Sequence, residues 1–161
     1  MRVRFWGTRG SIPVALTAGD VRRKLEQALL SALGHDLRTP DDVRRFVERD
    51  LDFAVAQTYG GHSPCVEIDT GGEEFVVCDM GSGARPFGSS VMMRAAGRSP
   101  TIHVFMSHVH WDHIMGFPFF APAYVAEARI RIYGCHDALE RAFRLQQSAP
   151  CFPVEFSRLS A

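Results

Sequence analysis

Residues 107–113 read Ser-His-Val-His-Trp-Asp-His, which places three imidazoles and a carboxylate within six consecutive positions. Neutral imidazole and carboxylate together suit zinc, and less selectively manganese or iron. His108 and His110 are two apart, so in an extended loop they project to the same side, as two ligands of one ion require. Asp112 and His113 follow at the start of a helical pattern and can address a second ion beside the first. From the chain's own His and Asp frequencies, H-x-H-x-D-H arises by chance about once in a thousand such sequences. The competing reading is a solvated loop whose histidines are incidental.

The elements around this motif are legible from periodicity. MRVRFW alternates Arg with Val3 and Phe5, as a strand does, and GTRGSIP breaks it. From about Asp20 to Leu33 the spacing becomes helical, with Val21, Leu25, Ala28, Leu29 and Ala32 on one stripe and Gly34 where the helix stops. A second helix starts at TPDD, with Thr39 as N-cap and Pro40 at the first helical position, and Val43, Phe46, Val47 and Leu51 continue the apolar stripe. CVEID and EFVVCD form a hairpin across a Thr-Gly-Gly-Glu turn. TIHVFM is a strand that delivers the chain to the histidine loop. ARIRIY is another strand, and HDALERAFRLQQ a helix. Strands interleaved with helices predict an α/β domain with a sheet covered by helices.

Composition bounds the function. A chain of 161 residues, 46% hydrophobic and 22% charged, is about one soluble domain. Eighteen basic and eighteen acidic residues cancel, so no global field draws the protein to nucleic acid or to an anionic membrane. No apolar run resembles a signal peptide or spans a bilayer. Cys65, Cys78, Cys135 and Cys151 form no C-x-x-C pair, and free thiols in a reducing cytoplasm are the plainest reading. The segment 15–55 carries Arg22-Arg23-Lys24 and Arg44-Arg45, but Asp20, Glu26, Asp41, Asp42 and Glu48 are interleaved, as on a solvated helix face.

Several stretches together resemble one known family. SHVHWDH looks like the metal-binding motif of the metallo-β-lactamase fold hydrolases. The longer run HVHWDHIMGFPFFAPAY is similar to the branch related to ribonuclease Z and the metal-dependent cyclic-nucleotide phosphodiesterases, as are FWGTRGSIPV, YGGHSPCVEI and DMGSGARPFG in the same order. The resemblance covers most of the chain outside residues 15–55. It implies the αββα sandwich, mainly its N-terminal half, with a helical insertion at 15–55, the whole of 1–161 forming one metallo-β-lactamase-like domain. It further implies two zinc ions in the complete fold, His108 and His110 on one, Asp112 and His113 on the other, and Asp112 orienting the attacking hydroxide. Asp79 corresponds to the residue that fixes a ligand histidine through its second nitrogen; read alone, it is a turn-forming Asp before glycines. Gly81 and Gly83 let backbone pass close to the metal loop or simply make a turn.

Two features depart from the family pattern. His62 stands where the family shows Asn in Y-G-G-N, and is either a substrate contact or a loop histidine without a role. The family's later ligands, another His, a bridging Asp and a final His, have no counterpart after His113, where the one histidine, His136, reads as a helix-start residue. The chain is then a fragment, or a truncated relative whose site is completed elsewhere. The expected activity is metal-dependent hydrolysis of a small phosphodiester, a cyclic nucleotide ahead of RNA. The alternatives are another hydrolase of the superfamily (thioester, ester or lactam) and a non-catalytic metal-binding or assembly protein. A chain carrying half of such a sandwich exposes a sheet face, which predicts a homo-oligomer, or the helical insertion folded over that face.

Overall fold

The computed structural model describes residues 1–161. The chain forms two compact units, one of residues Met1–Val14 with Gly60–Ala161 and one of Ala15–Tyr59.

The larger unit is built on a five-stranded mixed sheet in sequence order: β1 (Arg2–Gly7), β2 (Cys65–Asp69), β3 (Phe75–Cys78), β4 (Thr101–Phe105) and β5 (Arg129–Tyr133). The first three strands pair antiparallel and the last three parallel. The turn at 70–74 closes the hairpin expected between β2 and β3. Because β1 and β3 run the same way, the C-terminal ends of β1, β3, β4 and β5 and the N-terminal end of β2 share one edge. Five loops therefore gather there, beginning or ending at Gly7, Cys65, Cys78, Phe105 and Tyr133. The carboxyl edge of parallel strands is where open α/β sheets bind ligands.

One sheet face is the core. Val77, Ile102 and Val104 are fully buried on it, together with Phe87 and Val91 of the helix α4 (Ala84–Ala95). Phe87 stacks on Phe120 at 5.7 Å and Phe117 meets Phe143 edge-on at 4.9 Å, which joins α4 to the segment after the histidine loop. Glu67 is buried on the same face beside Arg94 at 2.6 Å and accepts a hydrogen bond from Trp6 Nε1 at 3.0 Å, so its charge is paired. The opposite face carries a row across all five strands, Phe5, Val66, Cys78, Phe105 and Tyr133, set by the strand register. Phe5 is 69% exposed and Phe105 46%.

α4 was not signalled by the sequence, because Pro86, Gly88, Ser89 and Ser90 are poor helix formers. Burial of Ala84, Phe87, Gly88, Val91 and Ala95 outweighs propensity there. Two shorter helices follow, α5 (Trp111–Ile114) and α6 (Leu139–Gln146). α6 begins three residues later than the expected start at His136.

The unit of residues Ala15–Tyr59 is helical. α1 (Ala18–Ala32) begins at Thr17, whose hydroxyl accepts from the Asp20 N–H in a capping box, and α2 (Pro40–Arg45) repeats the device with Thr39 and Asp42. Two hydroxyl and backbone donors hold the Asp20 carboxyl down at about 2. The second helix was expected to continue to Leu51. It widens instead after Arg45 into a turn over 46–50, closed by Leu51 N–H on the Phe46 carbonyl at 3.0 Å. A further short helix, α3 (Phe53–Ala56), is tied to α1 by Lys24, whose ammonium donates to the carbonyls of Ala54 and Gln57. Leu25 and Leu29 remain more than half exposed, and Phe46 is the buried residue of these helices. No helix of the protein is long and apolar enough to cross a membrane.

Candidate metal centre

β4 ends at Phe105 and the chain turns through Met106 and Ser107 into the histidine loop, which α5 closes. Met106 N–H bonds the Tyr133 carbonyl at 2.7 Å, so the loop starts from a fixed point. His108, Asp112 and His113 converge there: one candidate ligand atom from each lies within 4.8 Å of the others. The rings of His108 and His113 are 3.9 Å apart between centroids, and His113 Nε2 lies 3.4 Å from Asp112 Oδ2. His110 is adjacent, its ring edge-on to His108 at 4.6 Å, but it stands outside the mutually close set of three. The tightest grouping thus crosses the expected division into a His108–His110 pair and an Asp112–His113 pair.

Behind this cluster lies Asp79, 7% exposed, at the end of β3. Its Oδ2 is 2.9 Å from His113 Nδ1, and its Oδ1 accepts from the Ser107 N–H at 2.8 Å. Its backbone has φ 62°, a conformation Asp tolerates better than most residues. The Ser107 hydroxyl bridges the group, 2.8 Å from Asp79 Oδ2 and 3.1 Å from His108 Nδ1. Both imidazoles thereby have a hydrogen-bond partner at Nδ1, which leaves Nε2 of each for a ligand. Desolvation, then the neighbouring rings of His113 and His110, holds His108 below the ordinary imidazole value. Neutral imidazole is the form that ligates a cation. Two imidazoles and a carboxylate, oriented from behind, are a donor set that fits zinc or manganese.

Close backbone packing supports the loop. A Cβ at Gly81 would lie 2.4 Å from the Asp112 carbonyl oxygen and 2.5 Å from Ser63 Oγ, and one at Gly116 would lie 1.9 Å from the Gly81 carbonyl oxygen. The glycine at 81 therefore lets the chain after β3 pass against the histidine loop. Gly83 serves a different contact, against Trp6 and Cys65. Ser63 and Ser82 exchange bonds, each hydroxyl accepting the other's N–H at 2.7 and 3.0 Å.

His62 is exposed, with Nδ1 3.0 Å from Ser82 Oγ. His136 does more than precede a helix: Leu139 N–H bonds its carbonyl at 3.0 Å, while its Nε2 lies 3.2 Å from the Ser107 carbonyl. Its place after β5, beside the strand that feeds the histidine loop, was the available signal. Ser107 is no metal-ligand type, so the motif's spacing gives no sign of its hydroxyl contacts with Asp79 and His108. Ser11, whose N–H donates to Asp112 Oδ2 at 3.0 Å, had no signal beyond a Gly-rich loop. The four cysteines are free, and burial pushes the Cys65 thiol far up, out of the reactive range.

No protein-family model, no curated protein and no solved structure matches the chain.

Proposed function

We propose that the protein is a metal-dependent hydrolase of the metallo-β-lactamase type, carrying mainly the N-terminal half of the αββα sandwich, and that its substrate is a small phosphodiester such as a cyclic nucleotide. The observation that carries this reading is the convergence of His108, Asp112 and His113 with Asp79 behind His113. His108, Asp112 and His113 would hold the cation, zinc or manganese, with His110 beside them. When bound, such a cation supplies Lewis acidity and acidifies water. The chain's own contribution is orientation. Asp79 and Ser107 set the two imidazoles, and Asp112, anchored at one oxygen by Ser11, is the carboxylate that aligns the nucleophile. The phosphodiester preference rests on the resemblance of HVHWDHIMGFPFFAPAY to the phosphodiesterase branch.

Hydrolysis of bis-p-nitrophenyl phosphate and of 3′,5′-cyclic nucleotides, after removal of metal and re-addition of zinc or manganese, tests the proposal. Metal-restored turnover that Asp112→Ala abolishes supports it. Metal-independent turnover, or turnover unchanged in Asp112→Ala, contradicts it.

One observation favours a second reading, a metal-binding assembly protein. The row Phe5, Val66, Cys78, Phe105 and Tyr133 is a contiguous apolar stripe on the sheet face opposite α4. Phe105 and Tyr133 stack at 4.9 Å with their ring planes 17° apart. Such a stripe suits association with a second copy. Stoichiometric metal uptake with no turnover on phosphodiesters, thioesters, esters or lactams would favour this reading over the first.

A further inference from the structure

The loop after β1 contains a strained turn that the metal-centre residues alone do not explain. Ser11 has φ 60°, and Ile12 N–H donates to the Gly10 carbonyl at 2.7 Å, closing a three-residue turn centred on Ser11. Turns of this hand are rare because the side chain crowds the backbone, and Ser at the centre is worse placed than Gly. A conformation of this kind persists where the surroundings over-determine it. Here they do. Thr8 and Arg9 N–H groups both donate to the His62 carbonyl at 2.9 Å, and Val14 N–H donates to Gly61 at 2.8 Å, so both ends of the loop are pinned.

The turn aims one group. Ser11 N–H points at Asp112 Oδ2, 3.0 Å away, across 101 positions of sequence. A main-chain donor has no side-chain rotamers to lose, so it fixes a carboxylate more sharply than a hydroxyl on a free side chain would. The same oxygen lies 3.4 Å from His113 Nε2.

We propose that Ser11 is a positioning residue: its main-chain N–H, held by the strained turn 10–12, locks the Asp112 carboxylate in the orientation that joins His108 and His113 around a cation. The proposal rests on the metal-centre reading and extends it to the N-terminal loop. Released from that donor, the carboxylate can rotate about two side-chain bonds, and the three ligands are no longer assembled before the cation arrives. A loop that served folding alone would leave cation affinity untouched.

Calorimetric titration of the full chain with zinc and with manganese distinguishes these roles. Ser11→Gly keeps the N–H and accepts positive φ, so its cation affinity should stay within about threefold of the parent. Ser11→Pro removes the N–H and fixes φ near −65°, and its affinity should fall about tenfold or more, the usual effect of losing a group that orients a ligand. A folded Ser11→Pro that binds as tightly as the parent overturns the proposal. Should Ser11→Pro not fold, the Ser11 amide resonance gives the answer in folded proteins. It should shift on zinc addition in the parent and move upfield in Asp112→Asn; a resonance indifferent to both overturns the proposal. A parent chain that binds neither cation overturns the metal-centre reading and this inference with it, whereas a parent that binds alongside an equally tight Ser11→Pro overturns this inference alone.

Discussion

His113 Nδ1 lies 2.9 Å from Oδ2 of Asp79, although the two residues belong to loops after different strands. The parallel pairing of β3 with β4 brings them together, since Cys78 and Phe105 are register partners and each loop leaves from the next residue. Asp79 N–H on the Phe105 carbonyl, at 3.0 Å, continues the ladder by one bond and fixes where the carboxylate starts. A ligand histidine needs such an acceptor to present its other nitrogen.

Asp79→Asn should therefore weaken zinc binding by about 10-fold to 100-fold while leaving the fold in place, because Asn tolerates positive φ and is isosteric. Asp79→Ala should show the same loss of affinity and unfold more readily, by about 1–2 kcal/mol, from the left-handed backbone at that position. Zinc titration and urea unfolding of the two variants separate the effects. Equal zinc affinity in parent and Asp79→Asn would remove Asp79 from the centre.

Gly81→Ala places a methyl group 2.4 Å from the Asp112 carbonyl and 2.5 Å from Ser63 Oγ. One neighbour is main chain and the other, Ser63 Oγ, is held by the Ser82 N–H, so the loop must shift, at a cost of about 3 kcal/mol and with loss of cation affinity. Gly97→Ala is the control. Gly97 has positive φ, which Gly81 does not, and its Cβ position is open, so that variant should lose about 1 kcal/mol and no affinity. Matching losses of affinity in the two variants would show that the close approach at Gly81 does not shape the site.

How much of this was legible in the sequence differs by element. The period-2 strands, the N-cap at Thr39 and the histidine loop all declare themselves locally, through spacing or a cap, whereas α1 starts at Ala18 on a Thr17 cap, ahead of the Asp20 that its apolar stripe indicates. α4 did not, since its sequence is locally poor and its helix is held by Phe87 and Val91 packing on the sheet. Nor could spacing show that His113, rather than His110, is closest to His108. α5 starts at Trp111, so the chain after His110 coils back and carries His113 toward His108. Ser11 and His136 reach the site through tertiary placement, and their contacts with Asp112 and Ser107 leave no local pattern to read.

The exposed stripe on the sheet predicts self-association. Sedimentation equilibrium at micromolar concentration should find a dimer or larger species, and Phe5→Lys with Phe105→Lys should return it to monomer without unfolding it. Each phenylalanine is near half exposed or more, so the lysines have room and the sheet should tolerate them. A parent chain that sediments as a monomer across that range would contradict the expectation.

The central claim is that His108, Asp112 and His113 form one cation site, and metal content measured directly on purified protein is its closest test. Metal-free protein exposed to zinc or manganese and then desalted should retain the cation in parent and lose it in His108→Ala and in His113→Ala. His110→Ala, outside the closest set, should lose less than either. Thermal unfolding of each variant without metal confirms that the fold survives. Retention in His108→Ala and His113→Ala equal to the parent's would contradict the account.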